Sequence, residues 1–200
     1  MKKIIFVLSI ILLIGCTSET TQSEMLISPT ELTSREKSIL EGVIGQEILS
    51  YDVSALPNDY QLRLIVEHYH NGEKQNHVAN MSSSITAKDK PHTLFFSRER
   101  TDEGYTIHAL VLSENGVSAT EAYKEYESQN SSSLFNKLEE EINFNTNEEV
   151  IVGVTIEDNG NEIITGSLQE EDPRFKEVIS KYQDIFVYKV SVSKDQKVIN

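Results

Sequence analysis

The chain has 200 residues, with 32 Asp and Glu against 18 Lys and Arg, a formal net charge of −14, 38% hydrophobic residues and a single cysteine. So acidic a surface is repelled by phosphate backbones and anionic headgroups, which excludes nucleic acid as a partner and membrane attachment through a basic patch. One cysteine excludes an internal disulfide, so the fold must rest on packing alone.

In chain order, Lys2 and Lys3 open a positively charged start, Ile4 to Ile14 form an apolar run of eleven residues broken only by Ser9, and Gly15 precedes Cys16. As a helix this run rises about 16 Å against a hydrocarbon core of roughly 30 Å, so it is too short to span a membrane. The layout is that of a secretory signal peptide that ends at a lipid-attachment site. Leu13, Ile14, Gly15 and Cys16 resemble, position by position, the lipobox of bacterial lipoproteins. That resemblance implies diacylglyceryl transfer to the Cys16 sulfur, cleavage before Cys16 and a further acyl chain on the new amino group. Two chains anchor stably where one holds only marginally. Lys2 and Lys3 leave with the leader, so 16 basic residues face 32 acidic ones and the mature charge is −16. We therefore expect a signal peptide over 1–15, the lipidated cysteine and a polar tether over 16–28 with a reach of about 20 Å, and one domain over 29–200.

Thr33-Ser34-Arg35-Glu36 has the spacing of a capping box and predicts a helix with Ile39, Leu40, Val43 and Ile44 on its inner face. Leu49, Tyr51 and Val53 then alternate as a strand, Pro57-Asn58-Asp59 turns the chain, and Tyr60, Leu62, Leu64 and Val66 line one face of a longer strand. Asn71-Gly72 is a hairpin signal, because both central positions of a type I′ turn need positive φ. Strands at about 75–86, 92–99 and 104–112 complete a predicted antiparallel meander. Leu134, Phe135, Leu138 and Ile142 follow Ser131-Ser132-Ser133 at helical spacing, and Val150, Val152, Val154 and Ile156 alternate as a strand. Asp158-Asn159-Gly160-Asn161 is read as a turn into a strand over 162–168. Asp172-Pro173 places an N-cap before proline and predicts a helix burying Phe175, Val178, Ile179 and Tyr182. Ile185, Val187, Val190 and Val192 close the chain, with an inward parity that must shift near Tyr188-Lys189. The fold class is mainly β, an antiparallel sandwich-like domain with two or three short helices. The alternative is an α+β fold with the last helix and strands as a separate lobe.

One constellation bears chemistry: His68 and His70, two apart on a strand and so on one face, with His77 beyond the turn. A loop of two or four residues brings His77 to the same face, where three imidazoles would hold a transition metal, and a loop of three sends it to the opposite face. We read the three instead as structural or incidental, since histidine clusters without a ligating carboxylate or a pattern of outer hydrogen-bond partners are often accidental, and assign no metal and no cofactor. Glu139-Glu140-Glu141 is read as the solvated face of a helix and Glu170-Glu171-Asp172 as acids at a helix N-terminus. No Gly-x-Ser-x-Gly elbow and no His-Glu-x-x-His pair occurs, so no catalytic residue is assigned.

Scarce alanine and plentiful Ile, Lys, Asn, Ser and Glu, with the stretches Tyr60 to Lys74 and Tyr182 to Val192, resemble small lipoproteins of Bacillus-like Firmicutes. The expectation is a monomeric, membrane-anchored extracytoplasmic lipoprotein with a noncatalytic binding module for an envelope protein or small ligand. A metal-binding or hydrolytic envelope enzyme is the alternative.

Overall fold

The computed structural model describes residues 24–45, 47–85, 90–101, 103–125, 132–159, 163, 169–170 and 172–194. The leader, Cys16 and most of the strand expected over 162–168 lie outside these residues. Among the described residues no helix is long and apolar enough to cross a membrane.

Two antiparallel sheets pack face to face. The first has six strands: β1 (Met25–Pro29), β2 (Glu47–Ser54), β6 (His92–Arg100), β7 (Gly104–Ser113), β8 (Gly116–Glu125) and β10 (Ile142–Phe144). They run in the order β10-β1-β2-β6-β7-β8. The second holds β3 (Tyr60–His70), β4 (Glu73–Lys74), β5 (Ala79–Ser84), β9 (Ser132–Lys137), β11 (Glu149–Asp158) and β12 (Asp184–Lys194). Its order is β4-β3-β12-β11-β9, with β5 also beside β3. The mainly β, sandwich-like architecture read from the sequence is the architecture found. The chain also departs from a simple meander, because β5 and β6 belong to opposite sheets. The last strands are no separate lobe, since β12 lies between β3 and β11 in the middle of its sheet.

Alternation explains the inter-sheet core. Leu49, Tyr51 and Val53 of β2 meet Leu62, Leu64 and Val66 of β3, all essentially inaccessible to solvent. The domain starts before the boundary expected at residue 29: Met25 and Ile27 of β1 are buried in this core and β1 is hydrogen-bonded between β10 and β2. The folded domain therefore takes in residues 25–28, which the sequence assigns to the tether. Gly153 lets the sheets approach closely, because a Cβ there would stand 2.5 Å from Leu49 Cδ1.

Among the described residues the helices are α1 (Ser34–Ile44) and α2 (Pro173–Lys181). Thr33 caps α1 through the expected box, accepting from the Glu36 N–H while the Glu36 carboxylate accepts from the Thr33 N–H. Its inner face is narrower than predicted: Ile44 is buried, but Ile39 and Val43 are 55% and 72% exposed. Asp172 caps α2 by accepting from the Arg174 N–H, with Pro173 at the first position. That helix lays Phe175, Ile179 and the partly buried Val178 on the outer face of the second sheet, against Ile151, Val154, Ile156, Ile185 and Val187.

This second cluster corrects the parity expected of β12. Its pairing with β3 runs without a break from Asp184↔His70 to Lys194↔Tyr60. Phe186, Tyr188, Val190 and Val192 face the inter-sheet core, while Ile185 and Val187 face α2. The apparent shift arises because both faces are buried, and the bulge sits in β11 between Ile151 and Gly153. The helix expected around Leu134 to Ile142 is likewise absent. Leu134 and Phe135 lie in β9, Ile142 opens β10 and Leu138 lies between them, with Phe135 and Leu138 in the inter-sheet core and Leu134 in the α2 cluster. Glu139, Glu140 and Glu141 lie exposed between these strands, not on a helix face.

His92 is buried at the start of β6. Burial, opposed only in part by the Lys90 backbone, holds its pKa below the usual 6.5. The unfolded chain therefore binds the proton more tightly, so this contribution is complete above about pH 6.5 and is lost as pH falls through the lower folded value. His92→Leu is expected to lose less stability than the wild type between about pH 7 and about pH 5, where one such group changes stability by up to about 1.4 kcal/mol per pH unit. Urea midpoints that fall equally for the two proteins would refute it.

Candidate functional site

Several of the most buried polar residues, Asp184, Thr155, Glu157, His68 and Arg98, gather at one end of the sandwich. Because β3, β12 and β11 are adjacent, the register sets His70, Asp184 and Glu157 in one row across them, and His68, Phe186 and Thr155 in the next. Facing them from the first sheet are Arg98 of β6, Tyr105 of β7 and Lys124 of β8, with Glu47 directly paired to Arg98 and Tyr105 to Lys124.

Phe186 divides this end into two halves. Its ring stacks on His68 at a centroid distance of 4.7 Å, and the Arg98 guanidinium lies 5.0 Å from its centre and 4.6 Å from that of Tyr105. In the first half Arg98 forks onto Glu47 through Nε at 2.9 Å and Nη2 at 3.1 Å. Its Nη1 lies 2.9 Å from the buried Glu157 Oε1, while the Tyr105 hydroxyl donates to the other Glu157 oxygen. Burial opposes the charged form of Arg98, but Tyr188, Glu47 and Glu157 outweigh it and hold its pKa above the ordinary value. A cleft of about 420 Å³ opens over this half, lined mainly by Glu41, Glu47, Arg98, Glu99, Arg100 and Glu157.

The second half contains two of the three histidines. Asp184 is 0% exposed and His68 2% exposed, whereas the His70 side chain is 38% exposed. One carboxylate oxygen, Asp184 Oδ1, lies 2.8 Å from both His68 Nε2 and His70 Nδ1. Lys124 Nζ lies 2.5 Å from His68 Nδ1. Lysine offers only donors, so His68 Nδ1 is the acceptor and its ring proton sits on Nε2, directed at Asp184. By the same reasoning the Asn71 side-chain amide, 3.0 Å from His70 Nε2, leaves the His70 proton on Nδ1. Burial pulls the Lys124 pKa down, against the opposing pull of Asp184.

His77 does not join them. The loop does have two residues, Asn71 and Gly72 at φ of 50° and 83°, and His70 pairs with Glu73. The partner strand then breaks between Lys74 and Ala79, which removes the pleat on which the parity argument relied. His77 Nε2 instead reaches Glu67 Oε1 at 3.5 Å, and Glu67 lies on the opposite face of β3 from His68 and His70. There Glu67 is also bound by Lys74 at 2.5 Å, Lys189 at 2.9 Å and the Tyr69 hydroxyl at 3.0 Å. Burial raises the Glu67 pKa, but these donors outweigh it and hold the carboxyl at about 2. Lys189 also pairs with Glu149 and Glu170, so Glu170 neutralises a buried ammonium. Of the turn read at Asp158, Gly160 and Asn161 lie outside the described residues, while Asp158 and Asn159 bind Gln183 at the start of β12.

Asp184 is therefore the carboxylate that meets His68 and His70 on their own face, where the neighbouring Glu67 points the other way. Among the described residues these three bring one ligand atom each within 4.8 Å of one another. Lys124 and Asp184 carry no local motif; only the strand order brings them to the histidines.

A family model described as the YgaN domain matches residues 26–192, which runs from β1 to β12 and takes in every strand of both sheets. No curated protein matches the chain, and no solved structure does.

Proposed function

The chain belongs to the YgaN domain family, and we propose, from its own residues, that it is a membrane-anchored extracytoplasmic lipoprotein whose sandwich is a noncatalytic binding or interaction module of the cell envelope. The observation that carries the reading is Leu13-Ile14-Gly15-Cys16 after a short basic and apolar leader, with only Thr17 to Glu24 between the cysteine and β1. With a mature charge of −16, the protein would meet an anionic membrane through its acyl chains rather than its side chains. The cleft beside Arg98 has a charged lining, unlike the largely apolar lining of small organic ligand sites, and suits a polar or peptide partner.

Cys16→Ala is expected to release the protein from the membrane fraction or to leave it as uncleaved precursor. Mass spectrometry of the wild-type N-terminus should find two or three acyl chains on Cys16. An unmodified Cys16 on membrane-bound protein would overturn the anchor, and pull-down of the lipidated protein from its own envelope tests the binding role separately.

A further inference from the structure

We propose that His68, His70 and Asp184 form a site for one divalent transition metal ion of the zinc class, and that the contact of Lys124 with His68 excludes the metal until it is broken. Two imidazole nitrogens and a carboxylate oxygen are donors suited to zinc and its neighbours rather than to calcium or magnesium. They come from adjacent antiparallel strands in direct register, His70 opposite Asp184, so the backbone fixes their spacing. His68 Nε2 and His70 Nδ1 each stand 2.8 Å from Asp184 Oδ1. Around a tetrahedral ion with bonds of about 2.0–2.2 Å the ligand atoms stand about 3.3–3.4 Å apart, so the two histidine–aspartate separations open by about half an ångström while the two imidazole nitrogens, within 4.8 Å of each other, settle to the same spacing. The half-exposed His70 leaves a fourth position toward solvent.

The protons balance without an added acid or base. When His68 Nε2 binds the ion, the ring proton moves to Nδ1, and that nitrogen then has nothing to accept from Lys124. The half-buried lysine must turn away. The His70 proton moves likewise from Nδ1 to Nε2, where the Asn71 amide can turn its oxygen to receive it, giving this ligand the outer partner that metal-bound histidines have. The site needs neither the lipid nor the cleft beside Arg98, so it stands or falls apart from the anchoring reading.

The test is zinc titration of the full chain, purified metal-free in detergent, by isothermal calorimetry with melting temperature as a second readout. One equivalent of zinc is expected to bind and to raise the melting temperature. His70→Gln, at a half-exposed position that tolerates the change, should weaken binding at least about tenfold, while His77→Gln should leave it unchanged. Lys124→Met should bind zinc more tightly than the wild type. Failure of the wild type to bind one equivalent, or unchanged binding in His70→Gln, would overturn the site, and equal affinity in Lys124→Met would overturn the exclusion by Lys124.

Discussion

Leu64→Asp and Val152→Asp are each expected to abolish cooperative unfolding. Both side chains are fully buried between the sheets, Leu64 from β3 and Val152 from the bulge of β11. A buried leucine contributes about 1.5–3 kcal/mol by leaving water, and an unpaired carboxylate in its place costs several kcal/mol more. Together these approach the whole stability of a typical domain, about 5–15 kcal/mol. Val152 has a second role, since its carbonyl accepts from the Tyr51 hydroxyl at 2.5 Å and from the Leu138 N–H at 2.9 Å. An aspartate at the bulge would therefore loosen the contact between the sheets as well as the local core. The measurement is thermal and urea unfolding followed by circular dichroism. Wild-type transitions in both variants would contradict the packing of β3 and β11 against the first sheet.

How far this architecture is legible in the sequence depends on where each residue's partner lies. β2 and β3 bury one face to the inter-sheet core, so Leu49-Tyr51-Val53 and Leu62-Leu64-Val66 alternate and can be read directly. Local chemistry is equally plain at Thr33-Glu36, Asn71-Gly72 and Asp172-Pro173, where cap and turn are completed within four residues. Reading fails where burial is two-sided or absent. β9 divides Leu134 and Phe135 between two cores and so imitates helical spacing, and β8 turns Val117 and Tyr123 outward, which hides a strand of ten residues. The candidate site is legible only in part for the same reason. His68 and His70 declare a shared face, but Asp184 lies 116 residues after His68 and Lys124 lies 56 residues after it. Only the order β3-β12-β11 and the packing of β8 across the gap bring them there.

The first half of the polar end gives the other large effect. Arg98→Met is expected to destabilise the protein by about 3–5 kcal/mol, because it strands the Glu157 carboxylate in the core with only the Tyr105 hydroxyl as a donor. The other partner, Glu47, has a side chain 27% exposed and recovers water when the guanidinium goes. Glu157→Gln in the Arg98→Met background should restore most of the loss: the amide oxygen still accepts from Tyr105 and no buried charge remains without a counterion. Glu157→Gln alone should cost less than Arg98→Met, since Arg98 keeps its fork onto Glu47. The four proteins form a double-mutant cycle measured by urea unfolding, and the coupling between the two sites should amount to several kcal/mol, well above the roughly 0.5 kcal/mol expected of independent positions. Additive losses would mean that Arg98 stabilises this end through its stacking on Tyr105 and Phe186, not through neutralising Glu157.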